Sequence, residues 1–280
     1  MRWIVGVDVG QGSHAALEFL AWAAGKAILG REDAVAVHVL EDDHLRIVLR
    51  THHLDEVQAA ARKAAGETLE RHGVDAPVEV VQAIEAFDGL AAEALRHRAD
   101  AIVVGRHAGL EGSGLARLGR IARGALRELA FPVIVVPHDL TPSDVGAGPV
   151  LALTSLGDDS IEAVRFARRL ATWTGRELVV AHAVEVLDGH REERVAEGRS
   201  ALEQWVVAND VGPDRLQIIE GPVLSGATQL ATGLGSPVLV TGSRRLSGID
   251  RRLHASIGTE LAASAPLTVA VVPPGPGWPD

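Results

Sequence analysis

Two stretches carry residues that could do chemistry. The first is VVGRHAGLEGSGLARLGR, Val103 to Arg120, which leaves an apolar run at Gly105 and passes five glycines. From Gly105 to Arg123 it holds four arginines (Arg106, Arg117, Arg120, Arg123) against one glutamate. The second runs from Gly242 to Ser256, with four arginines (Arg244, Arg245, Arg251, Arg252) against one aspartate. Glycine lets the backbone approach oxygen atoms closely, and guanidinium groups take phosphate in a bidentate grip, so this pairing suits anion binding. The whole chain carries a formal net charge of −10. Two basic clusters stand out against that background, and they read as anion or nucleotide sites, or as solvated charge and ion pairs with acidic neighbours. The same net charge disfavours wholesale binding to nucleic acid or to an anionic membrane.

Other constellations are sparser. GQGSHA, Gly10 to Ala15, matches a G-x-G-x-x-A dinucleotide turn between a strand and a helix, and Glu41 follows the next strand where a ribose-binding acid could sit. The corresponding turn later in the chain, GDDSIE, lacks the second glycine. His38 and His182 sit inside apolar runs and read as hydrogen-bonded structural residues. His52 and His53 are adjacent, so on a helix they would point about 100° apart and share one metal poorly. There is no cysteine, which excludes disulfides and thiolate chemistry. No P-loop lysine, HExxH or G-x-S-x-G pattern occurs. The opening MRWIVGVDVG has Asp8 inside a short apolar run and reads as neither a signal peptide nor a membrane span.

The elements that must position these residues are written twice. WIVGVDVGQGSHAALEFLAWAAG corresponds to PVLALTSLGDDSIEAVRFARRLATWTG, each a buried strand, a short turn and an amphipathic helix. In this register Asp8 faces Ser155, Gly10 faces Gly157, and Ser13 and Ser160 are placed to cap the helices. AVAVHVL pairs with LVVAHAV, aligning His38 with His182. ADAIVVG pairs with SPVLVTG, aligning Gly105 with Gly242, and FPVIVVP pairs with LTVAVVP. Each half therefore predicts β-α-β-α-β-α-β-α-β, with short Val/Ile/Leu strands that show little polar alternation. That is the pattern of a parallel sheet covered on both faces, here two tandem doubly wound five-stranded sheets of Rossmann-like form. The predicted domains are residues 1–140 and 148–280, joined through the Pro/Gly/Ser/Asp-rich HDLTPSDVGAGP. Ligands of such sheets bind beyond the carboxyl ends of the strands, so the turn after strand one and the loop after strand four should meet at the site.

Through VGVDVGQGSHAAL, VHV, ADAIVVGRH and PVIVVP the chain resembles the universal stress protein family over nearly its whole length, as two UspA-like domains in tandem. The resemblance implies an adenine nucleotide alpha hydrolase-like fold and, as in many members, a site for ATP or another adenine nucleotide, with Mg only as the nucleotide's companion. The family's phosphate motif follows strand four: a glycine, two residues, a glycine, nine residues, then glycine and a hydroxyl residue. An aspartate ending strand one holds the nucleoside. Here Gly105 fits, but Ala108 replaces the second glycine, ten residues precede Gly119, and Arg120 replaces the hydroxyl. In the second half Gly242 fits and nine residues separate Arg245 from Ala255-Ser256, so the spacing and hydroxyl survive without the later glycines. The candidate binding residues are Asp8, Gly10, Gly105, Arg106, Gly119, Arg120, Gly242, Arg245 and Ser256.

The expected function is a regulatory, ligand-binding module that holds a nucleotide weakly at degenerate sites, without dedicated catalysis beyond slow, incidental ATP hydrolysis. The first half should be the better nucleoside pocket and the second the better anion site. An interaction protein with dead sites and a dinucleotide-dependent enzyme are the competing readings. The halves are expected to pair as a dimer within one chain, with homodimerisation also open, and the protein is expected to be cytoplasmic, away from membranes and nucleic acid.

Overall fold

The structure is a computed structural model that describes residues 1–9, 14–25, 30, 32–106, 118–128, 131–185, 190–243 and 256–274. The chain divides into two compact units, Met1–Asp144 and Val145–Asp280. The division falls inside the stretch rich in proline, glycine, serine and aspartate.

In the first unit the order is β1 (Trp3–Gly6), α1 (His14–Gly25), β2 (Ala34–Glu41), α2 (Asp42–Val48), α3 (Leu54–Arg71), β3 (Val78–Ala83), α4 (Ala86–His97), β4 (Ala101–Gly105), α5 (Arg120–Glu128) and β5 (Val133–Val136). The strands lie in the order β3-β2-β1-β4-β5, and their pairings are parallel. The second unit repeats this with β6 (Val150–Thr154), α6 (Ile161–Trp173), β7 (Leu178–Val184), α7 (Arg191–Asn209), β8 (Arg215–Glu220), α8 (Val223–Leu234), β9 (Val238–Gly242), α9 (Ile257–Ser264) and β10 (Thr268–Val272). Its order is β8-β7-β6-β9-β10, again parallel. In each unit the chain winds outward from its first strand in one direction and then crosses to that strand's other side. The crevice of such a sheet opens where the winding reverses, at the carboxyl ends of β1 and β4, and of β6 and β9.

The strands are continuous apolar runs because helices cover both faces. β5, β6 and β10 are buried at every position. Trp3 of β1 stacks on Phe19 of α1 at 5.8 Å between ring centroids, and Phe19 stacks on Trp22 at 5.3 Å. Elsewhere small residues bring helices onto the sheet: a methyl group added at Gly226 of α8 would stand 2.3 Å from Cγ2 of Ile219. No helix among the described residues is long and apolar enough to cross a membrane.

Candidate functional site

In the first unit the crevice is a cavity of about 400 Å³, within the usual range for small-molecule sites. Its walls come from the ends of β1, β2 and β4 and the starts of α4 and α5, and they are mostly apolar: Val7, Val37, Val39, Leu90 and Val104 among them. Polar groups enter at few points. Asp8, just past β1, is exposed on the wall. His38 of β2 donates Nδ1–H to the Val7 carbonyl at 2.8 Å. A carbonyl can only accept, so in the neutral ring Nε2 is the acceptor.

Glu41 ends β2 with its side chain only 11% exposed, and it joins three elements. Its Oε1 accepts from the backbone N–H of Ala86, the first residue of α4, at 3.0 Å. Its Oε2 accepts from Nη2 of Arg120, the first residue of α5. His44 of α2 lies 3.7 Å from the same oxygen. Burial alone would raise the Glu41 carboxyl's pKa, but the Arg120 guanidinium, the Ala86 amide and the nearby positive charge outweigh it and hold the group below its ordinary value of 4.5.

The second unit has a cavity of about 440 Å³ at the equivalent place. His182 takes up the role of His38, with Nδ1–H donating to the Thr154 carbonyl at 3.0 Å. The turn after β6 is tied to itself. Ser155 Oγ donates to Asp159 Oδ1 at 2.9 Å, and the Ser155 amide donates to Ser160 Oγ at 3.0 Å. Ser160 does stand at the N-cap of α6, but its hydroxyl serves this turn instead of the helix amides. The turn presses on the end of β9, where a methyl group at Gly242 would fall 2.6 Å from the Asp159 carbonyl oxygen. Ser256 is the N-cap of α9, and its Oγ accepts from the Thr259 amide at 3.2 Å. Asp159 stands on this wall, and among its described residues there is no lysine or arginine.

The structure thus brings Asp8, Gly105, Gly119 and Arg120 to one cavity, and Gly242 and Ser256 to the other. Arg106 follows β4 and donates its amide to the Val136 carbonyl at 2.6 Å; it is not on the cavity wall. Gly10, Ser13 and Arg245 lie outside the described residues. Sequence reasoning treated Glu41 as a ribose-binding acid of a dinucleotide enzyme and missed its pairing with Arg120, 79 residues away. Among the described residues no group of three or more metal-ligating side chains converges.

The comparisons agree with this architecture. A model of the universal stress protein family matches residues 1–137. Three solved structures align over 98% of the chain. A universal stress protein from Archaeoglobus fulgidus DSM 4304 is 18% identical, with 98% of its own chain covered and a TM-score of 0.71. A functionally unknown protein from Pseudomonas aeruginosa PAO1 is 17% identical, with 93% covered and a TM-score of 0.67. A putative universal stress protein from Pseudomonas aeruginosa UCBPP-PA14 is 17% identical, with 94% covered and a TM-score of 0.66. At these identities the likeness speaks for the fold. No curated protein matches the chain. The universal stress protein family model thus matches the first unit, residues 1–137, and the second unit repeats the same strand order.

Proposed function

We propose that this protein is a ligand-binding regulatory module whose first unit holds an adenine compound, a nucleotide or its nucleoside, at the crevice between β1 and β4. The observation that carries the reading is the first cavity. It is of small-molecule size, apolar over most of its wall, and lined at the switch point by Asp8, Gly105 and Gly119, the positions the family resemblance marks for a nucleoside and its phosphates. Neither unit keeps the complete motif, so binding is weak, about 10 μM to 1 mM, equivalent to roughly −7 to −4 kcal/mol. The module performs no dedicated reaction, and any ATP turnover is slow and incidental. It works in the cytoplasm.

Calorimetric titration with ATP, AMP, adenosine and inorganic phosphate tests this on the wild type and on Asp8→Ala. At least one adenine compound should bind in the stated range, and Asp8→Ala should weaken it at least about tenfold, or 1.4 kcal/mol. An absence of binding by every compound would favour the second reading, a protein that acts through its surface. That reading has its own support: Ile47, Val48 and Leu49, at the end of α2 beside the first cavity, are 63%, 38% and 41% exposed.

A further inference from the structure

We infer that the first cavity selects an uncharged nucleoside over its phosphate esters, because the Glu41 carboxylate already occupies the anion position between Arg120 and the start of α4. This rests on the reading of the cavity as an adenine-compound site and narrows its ligand class.

An anion site on such a sheet offers backbone amides at a helix start and a guanidinium fork. In this cavity one donor of each kind is engaged by one internal carboxylate: the Ala86 amide at the start of α4 on Oε1 at 3.0 Å, and Arg120 Nη2 on Oε2. Glu41 is tethered to β2, so it competes with a phosphate from a fixed position and at no entropic cost of association. Asp8 adds a second carboxylate to the wall, against the single guanidinium of Arg120 among the described lining residues. Glu85 also acts on Arg120 through space, which further spends its charge. Among the described lining residues an incoming phosphate would meet two carboxylates and a guanidinium already engaged by one of them. A nucleoside meets apolar walls for its ring and the acceptor oxygens of Asp8 for its hydroxyl or amine hydrogens.

The test is titration with adenosine and AMP of the wild type, Glu41→Gln and Arg120→Ala, with circular dichroism to establish that each is folded. The wild type should bind adenosine at least about tenfold more tightly than AMP. Glu41→Gln keeps an acceptor for the Ala86 amide and frees Arg120; it should raise AMP affinity about tenfold or more, in a salt-sensitive way, with adenosine changed less than about threefold. Arg120→Ala leaves Glu41 unneutralised and should weaken AMP further while retaining adenosine. AMP binding as tight as adenosine in the wild type, or an unchanged AMP affinity in Glu41→Gln, would overturn the inference and leave the adenine-site reading standing. Failure of both ligands on all three proteins would overturn both.

Discussion

Glu41 also sets an expectation for stability. Its carboxyl titrates below 4.5 in the folded protein, so as pH falls the unfolded chain takes up the proton first. The stability it contributes is whole above 4.5 and is lost as pH drops through the lower folded value. Chemical denaturation from pH 7 to pH 3 should therefore show a shallower acid decline in Glu41→Gln than in the wild type; parallel curves would mean the pairing exists without energetic weight. Because the Arg120 side chain is 63% exposed, the pair itself is worth little, and Arg120→Ala should cost about 0.5–1 kcal/mol at pH 7. The sequence marks Arg120 and Glu41 each as chemically interesting and assigns them to rival functions. Their partnership depends on the crossover that lays the start of α5 beside the end of β2, and a distance of that kind leaves no local pattern.

At the scale of elements, helix starts decide how the second cavity is built. Ser256 caps α9, so Ser256→Ala should lower stability by about 1 kcal/mol, read from denaturant midpoints. Gly226→Ala drives a methyl group against Ile219 on β8 and should cost about 1–3 kcal/mol; a neutral result would show that α8 can lift from the sheet freely. Strands were legible because buried parallel strands are short runs of Val, Ile and Leu. α2, seven residues from Asp42 to Val48, is too short to show a repeating apolar face in the sequence. Ser160 shows the limit of cap reading. Its position is right, yet a neighbouring amide in the turn after β6 captures the hydroxyl, and only the folded turn reveals which donor wins.

For the whole molecule, the duplication was the most legible feature, since two copies of one pattern carry the same strand order and the same histidine-to-carbonyl bond at His38 and His182. What the repeat conceals is how far the two sites have diverged. In the first unit the crevice keeps Asp8 on its wall, whereas in the second Ser155 and Asp159 are bonded to each other. Adenosine should accordingly bind with a stoichiometry near one per chain, and Asp8→Ala should remove that binding event; a value near two would show the cavities to be equivalent. The stretch where the units divide has its own consequence. Thr141 and Asp144 close an exposed turn, in which the Asp144 carboxylate accepts from the Thr141 hydroxyl at 2.6 Å and amide at 3.0 Å. A few residues later the chain is pressed against α8's end: the Gly148 amide donates to the Gly235 carbonyl at 2.7 Å, and a methyl group at Gly146 would fall 1.9 Å from that oxygen. A protease needs several residues of extended, accessible backbone. It would find them by opening the Thr141–Asp144 turn before the glycines beyond it, because Gly146 and Gly148 are held against the end of α8.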